Sequence, residues 1–202
     1  MLARVRIIKY THSCVRLEHD GGVLVIDPGV WSEPEALDGA DAVLVTHEHS
    51  DHADVLRLRG AGVAVYAPGA ADMPGVEFTG VGAGEEFVAA GMRVSAHGGR
   101  HAHVYGGMPD CVNLGYLVEG RVYHPGDSFH RPGRAVESLL VPLQGSWMKT
   151  DEAIGFVRAV GAERAFGIHD GQLNERGLGS LNGWLARGCG GRYRWLAPGE
   201  SA

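Results

Sequence analysis

Long apolar runs, lysines and paired cysteines are all scarce in this sequence of 202 residues. No apolar stretch approaches the roughly 18 residues of a membrane-spanning helix, so the sequence does not predict a membrane span. The opening residues, MLARVRIIKY, alternate like a strand and lack the apolar stretch and cleavage site of a signal peptide, which predicts a cytoplasmic protein. An odd number of cysteines without CxxC spacing argues against a disulfide framework: Cys14, Cys111 and Cys189.

Positive charge is also in short supply. The formal net charge is −6, which offers no basic surface for general affinity to nucleic acids. Lys9 and Lys149 are the only lysines among 18 basic residues, and with 32 glycines this composition is typical of a GC-rich bacterial genome. The length and a hydrophobic content of 45% predict one globular domain over residues 1–202.

Strand patterns dominate the chain, and helical patterns are few. Strands are predicted in RVRIIKY, CVRLEH, GVLVID, DAVLVT, GVAVYAP, VEFTGV and SLLVPL, in RAFGIH and YRWLA, and in the hairpins EEFVAAGMRVSAH and LGYLVEGRVYHPGD. Helices are predicted in DHADVLRLRG and in TDEAIGFVRAVG, where Thr150 can cap the helix and Gly161 ends it. Both halves pass from strands into helix and strand alternation. This predicts an α/β fold with four layers, in which helices cover the outer faces of two sheets.

The stretch HEHSDH, residues 47–52, follows a continuous apolar strand. Imidazole nitrogens and carboxylate oxygens are the usual protein ligands of Zn²⁺ and similar ions. His47 and His49, two residues apart, can point toward one ion, whereas Asp51 and His52 can turn toward a second. A solvated loop at a helix start is the alternative interpretation, but crowding four such groups without a cation would be costly in a buried loop.

The HxHxDH spacing resembles that of the metallo-β-lactamase superfamily, and the resemblance extends over nearly the whole chain. VLVIDPG, with Asp27, resembles the superfamily's strand that ends in a bracing aspartate. Residues 98–128 resemble its segment with the third histidine and the bridging aspartate, and FGIHDGQLNERGL resembles its segment with the last histidine. THSCVRLE favours the branch of ascorbate-6-phosphate lactonase and N-acylphosphatidylethanolamine phospholipase D. The resemblance implies the αββα sandwich of that superfamily.

The resemblance also implies a centre of two divalent ions, with zinc favoured and manganese or iron as alternatives. His47, His49 and His101 would hold the first ion, and Asp51, His52 and His169 the second. Asp127 would bridge the two together with a hydroxide, so that Asp51 and Asp127 are the candidate catalytic carboxylates. His97 and His103 remain alternatives to His101, which is favoured because it follows the GGR turn.

Roles for several neighbouring residues stay open. His12 is either a contact in the metal cleft or a hydrogen-bonded core histidine. Trp147 and Lys149 are either a pocket wall with an anion contact or ordinary surface residues. Asp170 is expected to orient its loop rather than bind metal, and His124 is expected either to be structural or to orient a neighbouring ligand.

Two divalent ions that share a hydroxide provide a nucleophile at neutral pH, so the sequence predicts a metal-dependent hydrolase of a small ester, lactone or phosphoester. A nuclease is the first alternative, although the acidic balance disfavours it. A flavodiiron redox protein is disfavoured by His49 and by the chain length, and a non-enzymatic metal-binding scaffold is disfavoured by the full set of ligands. Substrate choice is expected to depend on loops 28–38, 102–112 and 144–149.

Overall fold

Two β-sheets lie face to face in the computed structural model, which describes residues 4–202, so the first three residues of the predicted domain lie outside it. The first sheet has its strands in sequence order, antiparallel among the first three and parallel from the third onward. Its six strands are β1 (Arg6–Lys9), β2 (Val15–His19), β3 (Gly22–Ile26), β4 (Ala42–Leu44), β5 (Ala64–Pro68) and β6 (Thr79–Val81).

The second sheet contains the remaining seven strands. They are β7 (Glu86–Ala89), β8 (Met92–Gly98), β9 (Leu114–Val118), β10 (Val122–His124), β11 (Ser138–Pro142), β12 (Arg164–Ile168) and β13 (Tyr193–Arg194). Their spatial order is β13, β12, β11, β10, β9, β8, β7; β10 to β13 are parallel, and β7 to β10 form an antiparallel meander. The two hairpins predicted in this sheet, β7–β8 and β9–β10, are confirmed.

In the described part of the chain, three α-helices and one short 3₁₀ helix cover the outer faces of the sheets. They are the 3₁₀ helix Pro34–Leu37, α1 (Val55–Gly60), α2 (Thr150–Val160) and α3 (Glu175–Gly188). Within residues 4–202, none of these helices has the length and apolar character needed to cross a bilayer.

Apolar side chains fill three separate layers between these elements. The central core joins the facing surfaces of the two sheets, for example Leu24 and Tyr116. An outer core packs Leu58 of α1 against the first sheet, and another packs Phe156 of α2 and Leu185 of α3 against the second. The predicted four-layer α/β sandwich is confirmed.

The start of α2 differs from the prediction. Lys149, not Thr150, is the N-cap residue, and Thr150 is the first residue of the helix. The Glu152 side chain accepts a hydrogen bond of 2.6 Å from the Lys149 backbone N–H, so an acidic group in the first turn replaces the expected hydroxyl cap. The predicted end is confirmed, since Gly161 has the left-handed φ of 70° that favours glycine.

Strand direction brings six polar segments to one end of the sandwich. In the first sheet β1, β3 and β4 run in the same direction, and their carboxyl ends lead to His12, Asp27 and His47. In the second sheet β8, β10 and β12 also share a direction, and they lead to the three remaining groups, His101, Asp127 and His169. Each sheet therefore places three candidate site residues at the same crevice.

Candidate metal centre

Two groups of ligand-type side chains lie at this end of the sandwich. The three-histidine group contains His47, His49 and His101, whose candidate ligand atoms all lie within 4.8 Å of one another. The mixed group contains Asp51, His52 and His169, which meet the same limit together with His12. The structure thus brings the predicted first and second sets together, and the two groups adjoin, since His47 and His52 also meet this limit together with Asp127.

Asp127 lies between the two groups. Its Oδ1 is 3.1 Å from His52 Nε2, and its Oδ2 is 3.1 Å from His169 Nε2 and 3.3 Å from His101 Nε2. One carboxylate therefore faces both sets of imidazoles, which is the position that a bridging ligand needs.

Buried polar atoms without partners show that the donor set suits cations. His52 Nε2, Asp127 Oδ1 and both ring nitrogens of His169 are buried, and among residues 4–202 none makes a well-aligned hydrogen bond, although His52 Nε2 and His169 Nε2 each lie 3.1 Å from an oxygen of Asp127. An unsatisfied buried polar atom costs about 1–3 kcal/mol, so this many at one place would be destabilising without a ligand. Imidazoles and carboxylates are the ligands that Zn²⁺ and related ions prefer, and these residues fit such ions.

The Asp27 carboxylate anchors the loop that carries HEHSDH through hydrogen bonds. Asp27 Oδ1 accepts from the Thr46 backbone N–H at 2.7 Å, and Oδ2 accepts from the Thr46 hydroxyl at 2.7 Å. The same Oδ2 lies 2.7 Å from His52 Nδ1, so the Nδ1–H donates to the carboxylate and Nε2 is directed at the cluster. The expected brace at the end of β3 is therefore present, with Thr46 as a partner that the sequence had not indicated.

Left-handed backbone recurs where the strands reach the site. His12, Asp27 and His169 have φ values of 66°, 52° and 58°. Residues with side chains rarely adopt this region, and when they do, it is often at a functional site, where surrounding contacts hold the strained conformation. One such contact joins the two sheets here, since the His169 N–H donates to the His12 carbonyl at 3.0 Å.

His12 contacts the mixed group through Asp51. Its Nδ1 accepts a hydrogen bond of 3.1 Å from the Gly171 N–H, and burial lowers the pKa of the imidazole to about 4. The neutral ring therefore carries its hydrogen on Nε2, which donates to Asp51 Oδ2 at 3.1 Å. Of the two interpretations of His12, the geometry favours the contact in the cleft, and the proton on Nε2 makes His12 a donor to Asp51 rather than a metal ligand.

A buried ion pair supports the same side of the site. Lys9 is fully buried at the end of β1, and its Nζ lies 3.0 Å from Asp170 Oδ1 and 3.1 Å from Oδ2. Asp170 also accepts from the His12 backbone N–H at 3.0 Å and from Trp195 Nε1 at 2.9 Å. This network fixes the loop after His169, as was expected for Asp170. Lys9 itself was missed, and its sequence signal was only a lysine that follows two isoleucines.

The turn before Asp127 is set by Asn113 and Gly126. Asn113 Oδ1 accepts from the Asp127 N–H at 2.9 Å, and its Nδ2 donates to the Pro125 carbonyl at 2.9 Å. Gly126 has φ 61°, and a Cβ there would lie 2.2 Å from Asn113 Oδ1, so only glycine fits. His124 Nδ1 accepts from the Gly126 N–H at 3.2 Å, which agrees with its expected structural role.

Of the three alternatives for the third histidine, only His101 joins a cluster in residues 4–202. Its Nδ1 donates to the Ala102 carbonyl at 2.6 Å, which leaves Nε2 facing Asp127. His97 lies within β8 with its Nε2 3.0 Å from Ser95 Oγ, and His103 is exposed. The geometry therefore favours His101 as the ligand.

Burial and neighbouring charges set the protonation of the cluster. Burial and the charge of His52 hold the pKa of His47 well below its usual range, so His47 is a neutral imidazole. Burial opposes charge on His52, but the carboxylates of Asp127 and Asp27 outweigh it and raise the pKa of His52 well above its usual value, so a cation at Nε2 would have to displace a proton there. Burial would raise the pKa of Asp51, yet the hydrogen bond from His12 lowers it to about 2. The carboxylate is therefore ionised, as a ligand must be.

Trp147 is part of the site, whereas Lys149 is not. Trp147 Nε1 donates to Asp127 Oδ2 at 3.0 Å, and its ring stands edge-on to His101 and His169 with centroids 6.3 Å away from each. A Cβ on Gly145 would lie 2.6 Å from Trp147 Nε1, so this glycine allows the indole to lie across the chain. Lys149 is exposed at the N-cap of α2 and does not line the pocket beside the cluster.

Known proteins share this fold and sequence pattern. The chain is 36% identical over 210 residues to Protein Rv0786c of Mycobacterium tuberculosis, covering 98% of this chain and 99% of that protein. It is 31% identical over 150 residues to the UPF0173 metal-dependent hydrolase MK1542 of Methanopyrus kandleri, covering 61% and 62% of the two chains. The structure of Igni18, a metallo hydrolase from Ignicoccus hospitalis, superposes with a TM-score of 0.75 at 21% identity, covering 98% of this chain and 97% of that one.

The β-lactamase superfamily domain matches residues 6–169, which run from β1 to the last histidine of the cluster. This match spans both sheets and every residue of the two ligand groups. The chain belongs to the β-lactamase superfamily.

Proposed function

We propose that this protein is a metal-dependent hydrolase with two divalent ions, acting on a small ester or lactone, with a phosphoester as the next candidate class. The observation that carries the proposal is the placement of Asp127 between the three-histidine group and the mixed group, with buried ligand atoms left without other partners. The name of the relative MK1542 as a metal-dependent hydrolase supports the same reaction class. Zinc as the ion and a cytoplasmic location are parts of the proposal that rest on the sequence alone.

His47, His49 and His101 would hold one ion and Asp51, His52 and His169 the other, with Asp127 shared. When bound, such ions acidify water and polarise the bond under attack. The chain's own part is to fix the ligands: Asp27 orients His52, His12 orients Asp51, and Trp147 orients Asp127. Hydrolysis of an ester then joins the oxygen of water to the acyl carbon and breaks the acyl C–O bond, giving an acid and an alcohol.

The experiment that tests this function is a substrate panel with the metal content measured in the same preparation. Purified protein would be reconstituted with Zn²⁺ or Mn²⁺ and offered lactones, carboxylic esters, thioesters and phosphodiesters. We expect hydrolysis that is lost on chelation and restored by the ion. Metal-loaded, folded protein that cleaves none of these bonds would contradict the proposal.

A further inference from the structure

A pocket of about 450 Å³ opens directly beside the cluster. His49, His101, Asp127 and His169 form its floor, so a molecule in this pocket touches residues of both ligand groups. Most of the other lining residues come from two segments, around 104–109 and 145–147. The non-reacting part of a substrate must lie against these walls when its scissile bond is at the cluster.

One wall is a turn with unusually exposed apolar side chains. Tyr105 and Met108 exchange backbone hydrogen bonds of 3.2 and 2.8 Å across Gly106 and Gly107, which closes a tight turn. Val104, Tyr105 and Met108 are 46%, 82% and 66% exposed, and all three line the pocket. We call residues 104–108 the apolar turn. Contiguous exposed apolar surface beside a polar site is typical of a binding surface.

Residues 145–147 contribute a second uncharged part of the lining. Trp147 lines the pocket with its indole fixed by Asp127 at 3.0 Å and by a ring contact to Phe129 with centroids 5.2 Å apart. An indole that is already held in place can bind an apolar group without losing further conformational freedom. The pocket therefore offers one rigid aromatic wall and one apolar turn.

The lining of this pocket is poor in charged side chains. Among the described residues that line it there is no lysine or arginine, and Asp127 is its one carboxylate. Arg100, just before the apolar turn, is paired with Asp110 at 3.0 Å. Lys9 is buried against Asp170 and also lies outside the pocket. An anionic group that lies away from the scissile bond, such as the phosphate of a sugar phosphate, would find no lysine or arginine here. It would lose solvation without gaining a cationic partner.

We propose that the substrate is an ester, thioester or lactone whose non-reacting part is an uncharged aliphatic chain or ring, held between the apolar turn and Trp147. The proposal rests on the hydrolase function above and narrows its substrate class. Substrates with a second anionic group away from the scissile bond are disfavoured by the same walls.

Binding of hydroxamic acids to Zn²⁺-reconstituted protein tests this inference without any turnover. Calorimetry would compare acetohydroxamic acid, hexanohydroxamic acid and the monohydroxamic acid of adipic acid, which has a chain of the same length ending in a carboxylate. Full burial of a methylene is worth about fourfold in affinity, so four methylenes should tighten binding by at least about tenfold in a half-open pocket. The carboxylate-ended probe should lose most of that gain.

Two variants test whether the apolar turn is the surface that binds the alkyl chain of the hydroxamate. The double variant Tyr105→Ser with Met108→Ser should reduce the ratio of hexano- to acetohydroxamate affinity to within about threefold, because it removes the apolar surface of the turn. Leu56→Ser is the control, since Leu56 is 78% exposed on α1 and does not line the pocket. The control should keep the wild-type ratio.

The possible outcomes separate this inference from the hydrolase function. Hexanohydroxamic acid that binds no more tightly than acetohydroxamic acid, or no binding by either, overturns the inference, as does equal binding of the carboxylate-ended probe. Hydrolysis of p-nitrophenyl acetate, p-nitrophenyl hexanoate and bis(p-nitrophenyl) phosphate is then measured separately. Chain-dependent binding without cleavage of any panel substrate contradicts the hydrolase function alone, whereas ester cleavage with chain-independent binding overturns the substrate inference alone.

Discussion

The two ligand groups differ in what surrounds them. The three-histidine group has only imidazoles, and two of its members, His49 and His101, line the pocket. The mixed group adds a carboxylate, and it is supported by hydrogen bonds from His12 to Asp51 and from His52 to Asp27. We infer that the three-histidine group presents more side chains to the pocket than the mixed group, which contributes His169, and that the mixed group is the more rigidly supported of the two.

The difference in support between the two groups follows from the contacts that surround each of them. The mixed group lies where the ends of β1 and β12 meet, and there the buried Lys9–Asp170 pair and the His169–His12 backbone bond join the two sheets. His49, by contrast, has its Nε2 3.9 Å from the Cys111 sulfur, which is a weak contact. Substitutions in the three-histidine group and in the mixed group should therefore change metal binding and stability in different ways.

The largest effect is expected at Asp127, the residue shared by both groups. Asparagine is nearly the same size, but it is neutral and its amide nitrogen cannot bind a cation. Asp127→Asn should lower kcat on the order of a thousandfold, while the fold is retained and the mixed group binds its ion less tightly. Steady-state kinetics, circular dichroism and metal content measure the three consequences.

Excess metal should restore only part of the rate of Asp127→Asn, since the position of the attacking water depends on the carboxylate as well as on occupancy. A folded Asp127→Asn protein with two ions and near wild-type turnover would rule out the bridging role.

His101→Ala tests the three-histidine group alone. The variant should lose one ion and about a hundredfold in activity, because only two imidazoles remain in that group. His97→Ala is the matched control, since His97 contacts Ser95 within β8 and lies outside the clusters. If His97→Ala is the variant that loses metal, the assignment of the third histidine is wrong.

Lys9→Met tests the support of the mixed group. The substitution leaves the Asp170 carboxylate buried without a cation, although two N–H donors remain. We therefore expect a loss of about 3 kcal/mol in the free energy of unfolding, at the lower end of the range for breaking a buried ion pair. Denaturant unfolding of the metal-free proteins measures this loss.

Arg100→Met supplies the comparison for Lys9→Met, because the Arg100–Asp110 pair has the same 3.0 Å separation but both side chains are more than 70% exposed. This variant should lose less than about 1 kcal/mol. Equal losses of unfolding free energy in the two variants would contradict a special stabilising role for the buried Lys9–Asp170 pair.

Among the substitutions at the site, His12 is expected to give the smallest effect on metal binding. His12→Ala removes the hydrogen bond to Asp51 and should weaken binding of the second ion by about tenfold. Glutamine can place an amide N–H near the position of Nε2, so His12→Gln should recover most of that affinity. If His12 were itself a ligand, alanine and glutamine would be equally defective in a metal titration.

Much of the fold followed from local pattern, because alternating and continuous apolar runs marked the strands and the two hairpins. The longest helix, α3, was missed because Gly177, Gly179 and Gly183 reduce its intrinsic helix propensity. Packing of its buried Leu185 onto the second sheet stabilises it instead. Tertiary contact overrides propensity in this segment.

The site was predictable where its residues lie close in sequence. HEHSDH indicated four groups by spacing alone, whereas His101, Asp127 and His169 needed the family resemblance. Thr46, Lys9 and Asn113 were missed because their roles exist only through contacts with distant segments. Two of the three loops named as substrate-determining, 102–112 and 144–149, line the pocket, while no residue of loop 28–38 does.

The number of ions bound per chain tests the central claim most directly. Metal-free protein would be titrated with Zn²⁺ and, after removal of unbound ion, analysed for metal and protein in the same sample, with wild type beside His101→Ala and His169→Ala. Seven ligand groups exceed what one ion can use, so we predict two ions per wild-type chain and one in each variant. A wild-type protein that never holds more than one ion would contradict the account.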